Sequence, residues 1–211
     1  MIAIPAGTYR IGSSLGRQDE TPEHFVSVSA FEIDAFPVTV AEVHEVSREY
    51  GLPLPVAWSP SPPVASGLPA TTLTLAEACR LAQRMGKRLP TEEEFELAAG
   101  RAFGRDTHVH DRPSAGPLPL MTAPQALRSG LVTSEGLIAM VGIVWHWTAS
   151  SYNWYAREGT DARVPLPTIW TAVRGGIWSA YDARASFRSF RDPIRGYSRV
   201  AFRCVRDLKA R

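Results

Sequence analysis

Two thiols, Cys79 and Cys204, and five imidazoles, His24, His44, His108, His110 and His146, are the side chains with which this chain could hold a transition metal or run redox chemistry. A thiolate pair is the soft donor set that Cu(I) needs, while imidazole suits iron, zinc and copper. The two cysteines stand far apart in the sequence. His108 and His110 alternate along a loop or strand and could share an ion, but with no third ligand beside them they are expected to face solvent. The other segment with chemical reach runs from Ser179 to Val200. There Tyr181, Phe187, Phe190 and Tyr197 are interleaved with Ser, Asp, Gly and Arg, the palette of binding surfaces. Aromatic anchors supply rigid contact area, and short polar residues adapt.

Those side chains need a frame, and three helices announce themselves by one start signal. A Thr hydroxyl accepts from the first free amides and a Glu one turn later reaches back to the cap, at Thr39 with Glu42, Thr74 with Glu77, and Thr91 with Glu94. In the second helix Leu75, Ala78, Cys79, Ala82 and Met85 fall at helical spacing, so one face is buried, and Gly86 supplies a left-handed stop. Pro53, Pro55, Pro60, Pro62 and Pro63 exclude helix and central strand, which makes 51–69 an exposed connection. The Pro- and Gly-rich stretch 111–124 reads the same way. Strands are expected at 25–29, where apolar and polar residues alternate, and in short β-prone runs at 164–173, 177–178 and 200–202. Helices early and strands at both ends indicate α+β.

With 211 residues, 45% of them apolar, the chain can bury one sizeable core, and residues 1–211 read as a single domain. The balance of 23 basic against 21 acidic residues is too even to supply the phosphate-neutralising field that nucleic-acid binding relies on. No apolar run approaches membrane-spanning length, and residues 1–7 show no basic segment followed by a signal-peptide core. The chain is therefore expected to stay in the compartment where it is made, with virion or surface association left open. Lys87 and Lys209 are the only lysines and Asn153 the only asparagine, which fits either heat adaptation or a GC-rich genome.

An ordered set of blocks resembles the formylglycine-generating-enzyme or sulfatase-modifying-factor family. The blocks are residues 4–13 (Ile4-Pro5-Ala6-Gly7 onward), 20–24, Pro37-Val38-Thr39, 86–96 (Gly86-Lys87-Arg88-Leu89-Pro90-Thr91 onward, the most specific), 141–148, Arg174-Gly175-Gly176-Ile177-Trp178, and Ala201-Phe202-Arg203-Cys204. They span nearly the whole chain. The resemblance implies an α+β, loop-rich, C-type-lectin-like fold with about three helices and small twisted antiparallel sheets. Within it, Gly175-Gly176 serves either as a left-handed or close-approach backbone site or as a flexible turn.

Departures from the family pattern decide what the resemblance implies for chemistry. The family's oxidases bind copper through two cysteines between the Arg-Gly-Gly and Phe-Arg blocks, and residues 177–202 here contain none. Where related sulfoxide synthases hold iron with a histidine cluster, the five histidines here show no shared helix face. The family's Gly-Asn-Val-Trp-Glu-Trp, which can bind calcium, reads Gly142-Ile143-Val144-Trp145-His146-Trp147, so an amide and a carboxylate are replaced by alkyl and imidazole. Cys79 and Cys204 match positions that secreted members can bridge. They are expected within bonding reach, and as reduced, packed thiols in a reducing compartment.

The stretch 179–200 also resembles the variable region of proteins diversified by retroelements, and it contains no Lys, Glu, Gln, Met or Trp, the residues that adenine randomisation of an Asn codon cannot produce. The leading expectation is a non-catalytic binding module with a variable region at about 174–204. Its contacts with a protein or cell-surface ligand come from Ser179, Ala180, Tyr181, Phe187, Ser189, Phe190, Ile194, Gly196 and Tyr197. No cofactor, metal, nucleic-acid partner or membrane insertion is expected. Three readings stay open: Phe187 and Phe190 as core, a metal-dependent oxidase or oxygenase with an unrecognised site, and a structural or regulatory domain acting in a complex. Arg184, Arg188, Arg191, Arg195 and Arg199 are expected to be framework, and Trp145, Trp147, Trp154, Trp170 and Trp178 to be packing.

Overall fold

The computed structural model describes residues 1–58, 65–103, 120–128, 131–155, 169–176 and 184–208. In chain order the elements are β1 (Ile2–Ile4), β2 (Gly7–Ile11), β3 (His24–Val28), β4 (Phe31–Ile33), α1 (Val40–Glu49), α2 (Leu75–Arg84), α3 (Glu92–Phe103), α4 (Ala123–Arg128), β5 (Trp145–Ser151), β6 (Thr171–Arg174), β7 (Arg188–Arg191), β8 (Val200–Ala201) and β9 (Val205–Asp207). They form an α+β fold of small sheets, ordered β1-β4-β9, β2-β3 and β7-β6-β5-β8.

All three Thr–Glu caps form. The Thr39, Thr74 and Thr91 amides donate to the carboxylates of Glu42, Glu77 and Glu94 at 2.7, 2.8 and 2.8 Å, and each hydroxyl accepts from the Glu amide in return. A fourth helix starts the same way with Gln in place of Glu, the Thr122 amide donating to Gln125 Oε1 at 2.8 Å. It takes the end of the stretch expected to be connection, because Pro124 sits in the first turn, where the missing amide costs nothing. In α2 the apolar stripe is buried at Ala78, Leu81 and Ala82, with Leu75, Cys79 and Met85 at its edge, and the chain turns left-handed at Gly86 (φ +69°).

Two apolar clusters fill the interior. One gathers β1, β4, α3 and the 131–144 segment around Phe31, Phe95 and Ile143; the other gathers α1 and α2 around Trp58, Trp147 and Phe202. The four-stranded sheet lies at their junction. Its pairings are antiparallel except β5 with β8, which run parallel after the chain returns through 192–199. Of the strand runs expected from sequence, 25–29 forms as His24–Val28, 200–202 as Val200–Ala201, and only the end of 164–173 as Thr171–Arg174, while 164–168 and 177–178 lie outside the described residues.

The doublet after β6 is a strict geometric site. Gly175 and Gly176 have φ of +95° and +62°, and an added Cβ on Gly175 would lie 2.7 Å from the Met140 carbonyl oxygen and 2.8 Å from His146 Nδ1. Gly86 has positive φ but open space around it. Gly175→Ala should therefore lose ~2–3 kcal/mol of stability in urea titrations against ~1 kcal/mol for Gly86→Ala, the difference being the steric part. Equal losses would mean that backbone conformation alone constrains Gly175.

Candidate functional site

Beneath the carboxyl-terminal segment lies a buried array of opposite charges. Glu20, Glu92 and Glu96 are 0, 2 and 5% exposed, and Arg174, Arg184 and Arg188 are 0, 8 and 1% exposed, so three carboxylates face three guanidinium groups inside the protein. Arg174 reaches Glu96 at 2.7 Å and Glu92 at 3.4 Å and donates to the Ser186 carbonyl at 2.7 Å. Arg188 pairs with Glu92 and donates to the Asp19 carbonyl at 2.9 Å; Arg184 pairs with Glu20, which also accepts from the Ser186 hydroxyl at 2.7 Å. Glu96 also takes the Gly12 amide at 2.7 Å. These bonds join the 12–20 turn, the first two turns of α3, β6 and residues 184–188. Burial alone would lower the Arg174 guanidinium, but Tyr155, Glu92 and Glu96 outweigh it and hold it above its ordinary value.

On that base the candidate residues separate. Arg184 and Arg188 do what was expected of framework arginines, and Arg191 adds a guanidinium 5.4 Å above the Trp145 ring and a bond to the Phe190 carbonyl at 2.6 Å. Phe187 is 6% exposed, packed 5.1 Å from Trp145, so it belongs to the core and not to a contact face. Ser189 is half-buried. Phe190 and Ile194 are 42% and 79% exposed. Tyr197 is half-buried, its hydroxyl taking the Asp192 amide at 3.1 Å and its carbonyl the Thr72 amide at 3.0 Å. Gly196 is exposed, yet an added Cβ would overlap the Thr72 carbonyl, so it is a fixed backbone position and not an exchangeable contact. Ser179, Ala180 and Tyr181 lie outside the described residues, as do Trp178, His108 and His110. The other tryptophans divide: Trp145 and Trp147 are buried, whereas Trp154 and Trp170 are only half-buried and line a cleft with Tyr152 and Phe190.

Neither the copper nor the calcium chemistry of the resembled family fits the donor groups present. Burial pushes the Cys204 thiol well up, helped by Asp34, and raises Cys79 as well, so neither thiol is a ready thiolate at neutral pH. Both are unbonded, Cys204 fully buried and Cys79 at the edge of the same apolar cluster. At the calcium positions Ile143 packs in the core, and His146 is 0% exposed with its ring 5.0 Å from that of Phe95. No group of three His, Cys, Asp or Glu side chains with metal-binding geometry occurs among the described residues.

Residues 1–208 match the sulfatase-modifying factor enzyme 1-like domain, and the chain belongs to that family. It is 27% identical over 242 residues to serine/threonine-protein kinase Pkn1 of Chlamydia trachomatis serovar L2, covering 99% of this chain and 38% of that protein. Against inactive Cα-formylglycine-generating enzyme 2 of Mus musculus the identity is 26% over 265 residues, covering 97% of this chain and 85% of that one. Among solved structures, PvdO from Pseudomonas aeruginosa superposes with a TM-score of 0.71 at 20% identity, over 98% of this chain and 93% of that one. Treponema denticola variable protein 1 superposes at 0.60 with 21% identity, over 99% and 95%. At these identities the superpositions establish the loop-rich, C-type-lectin-like fold. No helix among the described residues is long and apolar enough to cross a membrane.

His146 provides a titration test of the frame. Burial, aided by the Arg203 charge, depresses its pKa well below the ordinary value of about 6.5, so the folded protein holds it neutral while the unfolded chain protonates it. Its contribution to stability is complete above about pH 6.5 and is lost as pH falls below that, at up to about 1.4 kcal/mol per pH unit. Urea midpoints between pH 7.5 and 5.5 should fall more steeply in the parent protein than in His146→Leu. Parallel slopes would mean that His146 takes up its proton alike in the folded and unfolded states.

Proposed function

We propose that this protein is a non-catalytic binding module whose carboxyl-terminal face, built on the buried charge array, engages a protein or cell-surface ligand and is diversified by a retroelement. The observation that carries this reading is the division of labour within one short segment. Arg184, Phe187 and Arg188 are turned inward onto Glu20, Trp145 and Glu92, while Phe190 presents one side of its ring to solvent and Ile194 most of its side chain. The loop that presents Ile194 is held by its backbone: the Pro193 carbonyl accepts the Leu75 amide at 3.1 Å and the Tyr197 carbonyl the Thr72 amide at 3.0 Å. The Ile194 side chain itself carries none of these bonds, so it can change with no hydrogen bond lost. Exposed aromatic and aliphatic residues on a rigid frame are what a hot spot requires.

Likeness in fold to a protein named as variable is compatible with this reading, as is a sequence with no cysteine between residues 177 and 202. Sequencing alleles of this gene tests it without a known ligand. Substitutions should concentrate at Ser189, Phe190, Ile194 and the 179–181 positions, spare Arg184, Phe187, Arg188 and Gly196, and coincide with a nearby reverse transcriptase and a template copy of residues 174–204. Variation scattered over the chain, or no template, would remove the diversification.

A further inference from the structure

A cleft of about 390 Å³ opens beside the exposed face, walled by the rings of Tyr152, Trp154, Trp170 and Phe190. Its polar lining is Arg17, Gln18 and Asp19. The rings are held in place. Phe190 lies 5.0 Å from Tyr152 and meets Trp170 at 5.2 Å with an interplanar angle of 66°. The Tyr152 hydroxyl donates to Asp19 Oδ2 at 2.6 Å, and the Arg188 guanidinium sits 4.8 Å from the same ring. Only Phe190 belongs to the 179–200 segment; the other three rings flank the β5–β6 connection, and the polar residues come from the short turn at Gln18–Glu20 and its preceding residue. Core packing does not account for Trp154 and Trp170, which stay half-exposed while Trp58, Trp145 and Trp147 are buried.

The charges in the cleft narrow the occupant. Arg17 Nε stands 3.6 Å from Asp19 Oδ1, so the two formal charges largely cancel where a ligand would sit. A cation would meet Arg17, and an anion would meet Asp19, with no surplus of either sign to favour it. What is left is a neutral molecule with an apolar face for the rings and an edge of groups that each donate and accept. Arg17 offers donors, Asp19 acceptors and Gln18 both, the complement of vicinal hydroxyls. The volume falls within the ~300–1,000 Å³ typical of small-ligand pockets, enough for one ring and its substituents. We infer that this cleft binds a neutral pyranose ring of a surface glycan, stacked on the Trp170–Phe190 wall with its hydroxyls on Arg17, Gln18 and Asp19.

The inference rests on the reading of the adjacent face as a ligand-binding surface and names the chemical class of ligand. Titrations monitored by tryptophan fluorescence and by saturation-transfer NMR would use methyl pyranosides of neutral hexoses and N-acetylhexosamines. N-acetylphenylalanine amide and tetramethylammonium chloride would serve as competing chemistries. At least one pyranoside should bind with a Kd on the order of 1 mM, and Trp170→Ala and Gln18→Ala should each weaken it about tenfold. Gln18 is exposed, so its replacement tests the cleft without threatening the fold, and Val56→Ala, exposed and distant in sequence, should leave binding unchanged. The inference is overturned if no pyranoside binds, if only the aromatic amide or the ammonium salt binds, or if both cleft variants bind sugar like the parent. Allele variation reads the face and glycoside titration reads the cleft, so either can fail while the other stands.

Discussion

The fold depends on a set of charges that water does not reach. Three carboxylates and three guanidinium groups placed in the interior would each cost several kcal/mol alone, and they are tolerable only because every one has an opposite partner, with further hydrogen bonds to Glu20, Glu96, Arg174 and Arg188. That requirement makes the array conditional on the whole. The 12–20 turn supplies Glu20 and the Asp19 carbonyl, α3 supplies Glu92 and Glu96, and β6 and residues 184–188 supply the cations. An element out of place leaves an unpaired ion buried, so four distant pieces of an irregular chain share one arrangement. Extended irregular backbone, which lacks the repeating ladders of helix and sheet, is held here by guanidinium groups donating into carbonyls, as Arg174 does to Ser186 and Arg203 does to Asp34 and Ile138.

The same array separates what is fixed from what is free in the carboxyl-terminal segment. Along β7 burial changes over one or two residues, from Arg188 inside to Phe190 outside. The following loop is tied to its neighbours by main-chain bonds and braced internally by two side chains, Asp192 Oδ1 taking the Ile194 amide at 3.1 Å and the Tyr197 hydroxyl taking the Asp192 amide at 3.1 Å. A surface assembled this way is rigid before any ligand arrives, which lowers the entropy lost on association.

Helix starts were legible because a cap is a local matter: Thr and Glu one turn apart satisfy amides whatever surrounds them. The α2 stripe was legible for the same reason, with Leu81 the one buried member that the pattern passed over. β5, β7 and β9 were not read from periodicity, since short strands in an irregular fold are set by pairing partners, and β7 in particular is a run of Arg, Ser and Phe. The framework role of Arg184 and Arg188 was readable from their repetition. Their partners were not: the Glu-rich opening of α3 looks like a solvated helix start, and only tertiary contact shows that Glu92 and Glu96 point inward. Phe187 and Phe190 could not be told apart by residue type, and strand geometry decides between them. The unsuitability of Gly196 for exchange was invisible, since nothing in the sequence places Thr72 beneath it.

The parallel pairing of β8 with β5 has a further implication. Trp145 and His146 align with Val200 and Ala201, so the residues that close the exposed segment are sewn into the centre of the molecule immediately after it ends. β8 is an edge strand of its sheet, but both of its residues are buried, so anything pulling on the segment from outside would have to draw Val200 and Ala201 out of the core as well as break their pairing with β5. A load on this face would thus reach the apolar core and not stop at a surface loop.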